Sequence, residues 1–214
     1  MKKRIHWRLL TLILACVLAF SLPVAAQEED VIIVLDPGHG GIDSGAYVKL
    51  PDGSEVHEDT LNLNLAMALK GKLESMGATV IMNRTADVNL NVHERIQFLL
   101  QQAPDLCIAI HQDSAPSYPN TSGAHMMYFT PFSQKIGQLI YEETAATGVY
   151  KPGRVFLEWS VYFVSRQTVC PVVLTENGYM TNATDFPNMT NPTSVEAKAE
   201  AMAKAVAAYF LQNG

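Results

Sequence analysis

Residues 34–41 read Val-Leu-Asp-Pro-Gly-His-Gly-Gly and join a predicted strand to a glycine-rich turn. The strand spans residues 31–35, where every residue is apolar and most are β-branched. This pattern favours a strand buried on both faces of a sheet, and the following Asp-Pro-Gly ends it. In open α/β sheets the ligand site lies beyond the carboxyl ends of the strands. His39, just past this strand, is therefore a candidate site residue.

Strands and helices alternate along the rest of the chain. Apolar residues recur at helical spacing over residues 58–76 and 92–100, and short apolar runs predict strands at residues 79–82 and 106–110. Further elements are predicted at residues 123–129 (strand), 136–144 (helix), 161–164 (short strand), 171–175 (strand) and 195–211 (helix). This alternation predicts an α/β fold, a three-layer domain with a largely parallel (mixed) central sheet flanked by helices.

Residues 1–26 differ in composition from the rest of the chain. They begin with basic residues, continue with an apolar run over residues 9–20 and end in Val24-Ala25-Ala26, an order typical of a secretory signal peptide. The apolar run is shorter than the roughly 20 residues of a membrane span, which favours cleavage over an uncleaved anchor. A lipoprotein processing site at Cys16 is a weaker alternative. We expect a signal peptide at residues 1–26, one domain at residues 27–214 and no membrane span after cleavage.

The predicted mature chain is acidic. The full sequence has 15 Lys and Arg against 21 Asp and Glu, a net charge of −6. Because residues 1–26 hold four of the basic side chains and no acidic one, their removal changes the net charge to −10. This balance argues against nucleic acid and against an anionic membrane surface as partners.

Cysteine usage leaves two alternatives open. Cys107 and Cys170 remain beyond the signal peptide, and both lie at apolar runs. A disulfide formed after export and two buried free thiols are both compatible with this placement. The sequence does not choose between them because pairing requires a specific separation in space.

Polar residues able to bind a metal or move a proton follow several predicted strands. His39 follows the first strand, His111 follows the strand at residues 106–110, and Glu176 follows the strand at residues 171–175. Glu58 opens the first predicted helix. Two histidines and one glutamate match the ligand count of a catalytic zinc site that keeps a fourth position open. A second carboxylate nearby would supply the base.

These residues carry a resemblance to a known family. Residues 34–46, Val-Leu-Asp-Pro-Gly-His-Gly-Gly-Ile-Asp-Ser-Gly-Ala, closely resemble the opening motif of the zinc-dependent N-acetylmuramoyl-L-alanine amidases of the Amidase_3 type. Later segments agree in order: Glu58 with residues 61–63, residues 83–85 with Asp87 and Arg95, residues 109–111, and residues 175–182. The resemblance covers nearly all of residues 31–212.

The resemblance implies specific roles. It makes His39, Glu58 and His111 the ligands of one Zn²⁺ ion and Glu176 the catalytic carboxylate, acting as general base and acid. The implied substrate is peptidoglycan, cut at the amide between N-acetylmuramic acid and L-alanine of the stem peptide. Residues 27–214 would then be a catalytic amidase domain, secreted and either periplasmic or cell-wall associated. A protein activator is compatible with this role.

Other residues near the motifs are given less direct roles. Asp43 and Asn182 are predicted either to contact substrate or to cap turns. Arg84 and Arg95 are predicted to be ion-pair partners that stabilise the fold rather than catalytic groups. Three further histidines are predicted to be structural or solvated: His57, His93 and His125.

Two other functions remain as alternatives. One is a peptidoglycan-binding module that keeps the fold without catalysis; its expected signature is loss of a metal ligand or of the base, and all four residues are present. The other is a zinc peptidase that cuts another bond of the stem peptide. Analysis of the reaction products separates both from the amidase.

Overall fold

The computed structural model describes residues 30–149, 152–157 and 167–213. The predicted signal peptide at residues 1–26 and the predicted strand at residues 161–164 lie outside the described residues. The strands are β1 (Ile32–Pro37), β2 (Tyr47–Lys49), β3 (Glu55–His57), β4 (Thr79–Met82), β5 (Leu106–Asp113), β6 (Ala124–Tyr128), β7 (Pro152–Leu157) and β8 (Val172–Tyr179). The helices are α1 (Glu58–Ser75), α2 (Val92–Gln102), α3 (Pro131–Ala146), α4 (Asp185–Thr190) and α5 (Pro192–Asn213).

The central sheet has six strands in the order β4-β1-β5-β8-β6-β7. The first four run parallel to one another, β6 runs antiparallel to β8, and β7 runs parallel to β6. The expectation of a largely parallel, mixed sheet is confirmed. Its parallel half brings the carboxyl ends of β1, β5 and β8 to one edge, where a ligand site is expected.

Helices cover both faces of this sheet. The main core packs α1, α3 and α5 against one face, through side chains such as Leu69, Ile136 and Met202. On the opposite face, Leu99 of α2 packs against Val34 of β1 and its neighbours. The three-layer α/β architecture predicted from the sequence is therefore confirmed, and burial of β1, β5 and β8 on both faces explains their continuous apolar runs.

Several elements depart from the predicted ones. Helix α3 begins earlier than its apolar stripe because Thr130 accepts a hydrogen bond from the Ser133 N–H and Pro131 opens the first turn. The hairpin of β2 and β3, the strand β7 and the six-residue helix α4 were not predicted. Strands of three residues carry no readable alternation, and β7 begins with Pro-Gly, which usually indicates a turn.

The carboxyl end of β8 contains an irregularity that matters for the site. His111 of β5 pairs with Glu176, whereas Asp113 pairs with Tyr179, so the register shifts between the two pairs. Two residues of β8 therefore face one residue of β5, which is a β-bulge. Bulges bend a strand and redirect neighbouring side chains, and this one directly follows Glu176.

The two cysteines are buried free thiols. Cys107 lies on β5 and Cys170 precedes β8, and both belong to the small core under α2. Burial raises the pKa of both thiols, that of Cys170 to about 12, so they are unreactive near neutral pH. Within the described ranges, no helix combines the length and apolar character that crossing a membrane requires.

Candidate metal centre

Three side chains predicted to bind metal converge at the carboxyl edge of the sheet. His39 lies in the loop after β1, Glu58 is the first residue of α1, and His111 lies near the end of β5. One possible ligand atom from each lies within 4.8 Å of the others. Glu58 Oε1 lies 3.2 Å from His39 Nε2 and 3.1 Å from His111 Nδ1. The structure thus gathers the three residues into one cluster.

The loop after β1 depends on glycines and on an unusual backbone conformation at His39. His39 itself has a left-handed backbone with φ 60°, and Gly40 follows with φ 130°. A Cβ on Gly38 would overlap the imidazole of His111, and a Cβ on Gly45 would overlap Glu58. Gly38 and Gly45 therefore allow the backbone to pass directly against the cluster.

Two buried arginines donate hydrogen bonds to backbone carbonyls of this loop. Arg84 Nη2 donates to the carbonyl of Gly38 at 2.8 Å, and Arg95 Nη2 donates to the carbonyl of His39 at 2.7 Å. Arg95 also forms a buried ion pair with Asp36. Arg95 is thus an ion-pair partner, as predicted, whereas Arg84 bonds to backbone carbonyls. Both fix the peptide groups that carry the first histidine.

The carboxylate of Glu58 is held by several donors. Its Oε2 accepts the backbone N–H of Ala46 at 3.0 Å, and its Oε1 accepts Asn62 Nδ2 at 3.1 Å and the backbone N–H of Gln112 at 3.2 Å. Burial would raise the pKa of Glu58, but the hydrogen bonds and charges of the two histidines lower it well below its usual range. Glu58 is therefore an ionised, oriented carboxylate.

Asp43 orients the first histidine. Its Oδ2 lies 2.9 Å from His39 Nδ1, on the ring side opposite the contact with Glu58. Burial would lower the pKa of His39, but Glu58 and Asp43 raise it to about 9. A carboxylate on the outer nitrogen fixes the ring and leaves the other nitrogen for the cluster. Contact between Asp43 and a substrate stays a prediction.

Glu176 lies in a row across three strands. It pairs with His111 of β5 on one side and with His125 of β6 on the other. Directly paired residues point to the same face of a sheet, so the three side chains are neighbours. The same face carries a buried apolar cluster one pair along the sheet: Ala109 and Leu174 lie two residues before His111 and Glu176, and Met127 lies two residues after His125 on the antiparallel β6. Glu176 therefore stands at the boundary between the apolar core and the candidate metal centre.

The environment of Glu176 favours a proton on its carboxyl group. The side chain is 5% exposed, and its Oε2 is buried with no hydrogen-bond partner among the described residues. Burial raises its pKa well above the usual range, and the nearby charges of Glu58 and Asp113 raise it further. A buried carboxylate without a partner is costly for folding and is characteristic of functional sites.

His125 was predicted to be structural, and its position beside Glu176 could not be read from the sequence. Its Nε2 lies 2.7 Å from the hydroxyl of Tyr179, and the two rings meet edge to face. Only the pairing of β6 with β8 brings His125 beside Glu176, and the sequence does not reveal which strands are neighbours. Asn62, by contrast, follows Glu58 by four residues on α1, a spacing that could have identified it.

Asn182 is engaged within the fold. Its Nδ2 donates to the carbonyl of Pro119 at 3.2 Å, while its Oδ1 accepts the N–H groups of Thr184 and Asp185. These bonds favour the turn-capping alternative, and a substrate contact stays a prediction.

His57 lies 3.5 Å from Glu55 and is not part of the candidate metal cluster.

Substitution of Gly38 by alanine is expected to lower zinc affinity by about 10- to 100-fold, because the new methyl group would push His111 out of position. Zinc titration of the purified variant measures this. Gly71→Ala is a matched control: a Cβ there meets nothing within 4 Å, and helix propensity predicts a gain in stability of about 1 kcal/mol. Equal zinc affinity in the two variants would contradict this role of Gly38.

The fold and the site together define a class of protein. It is a three-layer α/β protein with a candidate metal centre of two histidines and one glutamate at the carboxyl edge of the sheet, beside a buried carboxylate. A family profile described as N-acetylmuramoyl-L-alanine amidase matches residues 33–208. The chain therefore belongs to this family of enzymes, Amidase_3, as the motifs predict.

Comparison with individual proteins agrees with this family assignment. The chain is 33% identical over 191 residues to the probable cell wall amidase LytH of Staphylococcus saprophyticus, and the match covers 88% of this chain and 61% of that relative. An N-acetylmuramoyl-L-alanine amidase from Clostridium difficile 630 superposes with a TM-score of 0.80 at 23% identity, covering 86% of this chain and 99% of the other. The CwlD amidase from Clostridioides difficile, solved in complex with the GerS lipoprotein, superposes with a TM-score of 0.78 at 24% identity, covering 86% and 100%. The two structures show a shared fold.

Proposed function

We propose that this protein is an exported, zinc-dependent amidase that cleaves the bond between N-acetylmuramic acid and L-alanine in peptidoglycan. The observation that carries the proposal is the convergence of His39, Glu58 and His111 beside the buried carboxylate of Glu176. In this proposal the first three residues hold one Zn²⁺ ion and Glu176 moves the proton. Membership of the amidase family supports the choice of substrate.

The cluster fits zinc by its donors and spacing. Zinc takes imidazole and carboxylate ligands at about 2.0–2.2 Å in a tetrahedron, which sets neighbouring ligand atoms about 3.4 Å apart. Glu58 Oε1 lies 3.2 and 3.1 Å from the two histidine nitrogens, close to that spacing. The carboxylates of Glu58 and Asp43, which raise the pKa of His39 to about 9 against the effect of burial, also favour a divalent cation at the cluster, and this supports the proposal. Three protein ligands leave a position for substrate or water.

The reaction then follows from the placement of Glu176. Zinc bound at the cluster would supply a Lewis acid that polarises the scissile carbonyl and makes water more acidic. Glu176 accepts a proton from the attacking water as its oxygen bonds to the carbonyl carbon. Glu176 then returns the proton to the amide nitrogen as the carbon–nitrogen bond breaks. The products are a lactyl carboxylic acid on the sugar and a free amine on L-alanine.

The surroundings of Glu176 suit both halves of this proton transfer. Burial makes the carboxylate more basic than one in water, and the apolar cluster beneath it excludes solvent. A divalent cation nearby would favour the ionised form, which is the form needed to accept the first proton. In the proposed site the cation would favour the ionised form of Glu176, whereas the apolar core favours the protonated form.

The location and partners belong to the same proposal. Peptidoglycan lies outside the cytoplasm, so the signal peptide predicted at residues 1–26 fits a secreted protein, periplasmic or cell-wall associated. A protein activator is a further proposed partner. The CwlD amidase of similar fold was solved in complex with a protein, the GerS lipoprotein.

Product analysis tests the proposed function. Purified peptidoglycan is incubated with the mature, zinc-loaded protein, and the released material is identified by mass spectrometry. We expect stem peptides with a free L-alanine amine and glycan strands that keep the lactyl carboxylate. Cleavage elsewhere in the stem peptide would show a zinc peptidase instead. Binding to peptidoglycan by zinc-loaded protein without any cleavage would show either a binding module or an amidase that needs its activator.

A further inference from the structure

A β-bulge directly follows Glu176 on β8. It consists of Asn177 and Gly178, and the positive φ of 104° at Gly178 turns the peptide group between them. A bulge disrupts the hydrogen-bond ladder locally, so its buried carbonyl groups need partners from elsewhere in the fold. The direction of the neighbouring Glu176 side chain depends on how firmly this bulge is fixed.

Lys198 of α5 reaches the bulge from the helical layer. Its Nζ donates to the carbonyl of Asn177 at 3.0 Å, and the residue is only 3% exposed. Lysine is almost never buried so completely without a partner, because removing an ammonium group from water is expensive. The residues around it on α5 are apolar core residues such as Ala199 and Met202.

A buried acid secures the other side of the bulge. Asp185 is fully buried, and its Oδ2 accepts the backbone N–H groups of Tyr179 at 3.0 Å and of Gly123 at 2.8 Å. Burial lowers the pKa of Lys198, while the charge of Asp185 raises it. An amine donates to a carbonyl in either protonation state, so the contact with Asn177 does not depend on the charge of Lys198.

The fixed residue also contacts the candidate metal centre. Asn177 Nδ2 donates to the backbone carbonyl of His111 at 3.0 Å and to Thr175 Oγ1 at 2.9 Å. The residue whose carbonyl accepts from Lys198 is thus hydrogen-bonded, through its side chain, to the strand that carries a proposed zinc ligand. A shift of the bulge would change the position of Glu176 relative to His111.

We propose that Lys198 is a positioning residue of the amidase reaction, which fixes the bulge at Asn177 and thereby the direction of Glu176. The inference rests on the proposed function and adds to it a positioning role for a residue of α5. Misplacement of a catalytic group by about 1 Å costs about 100-fold in rate, so the effect of losing this contact is measurable.

The test replaces Lys198 by methionine, which keeps the volume and removes the donor. Rates on purified muropeptides are expressed per zinc-loaded, folded molecule. We expect kcat to fall about 10- to 100-fold, KM to change less than about twofold and zinc content to stay at the wild-type value. Tm is expected to fall modestly, because the buried carbonyl of Asn177 loses its donor. Lys204→Met, an exposed lysine on the same helix, is the matched control and is expected to keep the wild-type rate.

Lys198→Gln is the second variant. It keeps an N–H donor on a shorter side chain, so a smaller fall in kcat is expected than with methionine. If the methionine variant does not fold, the glutamine variant decides: a reduced kcat supports the proposal. Wild-type kcat in the folded methionine variant, or in the glutamine variant when methionine does not fold, overturns it. Release by the wild type of peptides that lack a free L-alanine amine would overturn the proposed function instead, whatever the rates of the Lys198 variants.

Discussion

Glu176→Gln is expected to lower kcat for amide hydrolysis by about 10²- to 10⁴-fold while zinc content stays at the wild-type level. Glutamine has the same shape as glutamate, so the row between His111 and His125 keeps its packing. It cannot accept a proton from water, and the proposed transfer to the leaving amine is lost with it. Rates on purified muropeptides and zinc analysis of the same sample measure both quantities.

The matched control is Glu143→Gln, an exposed glutamate on α3, for which the rate is expected to be unchanged. Loss of zinc from Glu176→Gln would contradict the division of roles, because it would make Glu176 a ligand. Wild-type activity in this variant would remove Glu176 from the mechanism and leave its burial without a catalytic explanation.

The same substitution is expected to change how stability depends on pH. In metal-free protein the pKa of Glu176 is raised by burial and by the charges of Glu58 and Asp113, with His111 also facing it. The folded state therefore keeps a proton over a pH range in which the unfolded chain has lost it. Relative to Glu176→Gln, the free energy of unfolding of the wild type should therefore fall as pH rises from the usual glutamate range toward the raised pKa. The other titrating groups contribute equally to both proteins and cancel in this difference.

Denaturation in the presence of EDTA measures this difference. Below the usual glutamate pKa of about 4.3 the two proteins should be about equally stable, because Glu176 is neutral in both states. Near neutral pH the variant should be the more stable by about 1–3 kcal/mol, the free energy needed to keep either a proton or a charge on the buried carboxyl group. Parallel stability curves over the whole range would show that Glu176 is not desolvated in the folded protein.

His111→Ala is expected to abolish stoichiometric zinc binding and, with it, amide hydrolysis. Removing one of three ligands leaves two, which is fewer than catalytic zinc sites use. In the wild type, zinc at about 100 times its Kd should contribute about 2.7 kcal/mol to stability and raise Tm by roughly 5–10 °C. The variant should show neither the metal nor the zinc-dependent rise in Tm.

His93→Ala provides the control, since this histidine is exposed on α2 and lies outside the metal cluster. It should bind zinc and gain Tm as the wild type does. A full complement of zinc in His111→Ala would rule out the proposed ligand set of His39, Glu58 and His111. Loss of zinc in both histidine variants would show that folding, not coordination, had been damaged.

The amino-acid sequence is sufficient to predict the architecture and the residues of the candidate site. The apolar run at residues 31–35 and those before His111 and Glu176 predict strands that end at one edge of a sheet. Burial on both faces leaves a signal in every residue of such a strand, which makes parallel strands easy to recognise. The glycines around His39 are equally readable, because few other residues accept their backbone conformations.

Contacts between distant segments could not be read in this way. The bond between Arg95 and the carbonyl of His39 joins residues 56 apart, and the contact of Lys198 with Asn177 joins residues 21 apart. A lysine within an alanine-rich helix gives no sign of being buried, since the same residue type usually points to solvent. His125 likewise depends on the order of strands in the sheet.

The sequence by itself determined the α/β class, the amidase family and the chemistry available at the site, because strand periodicity, glycine turns and side-chain type are local properties. Only the tertiary structure decided that Glu58 contacts both histidines, that Glu176 lies between His111 and His125, and that Lys198 holds the bulge. Those relations depend on sheet order, register and helix packing, which arise when segments far apart in the chain bury their surfaces together.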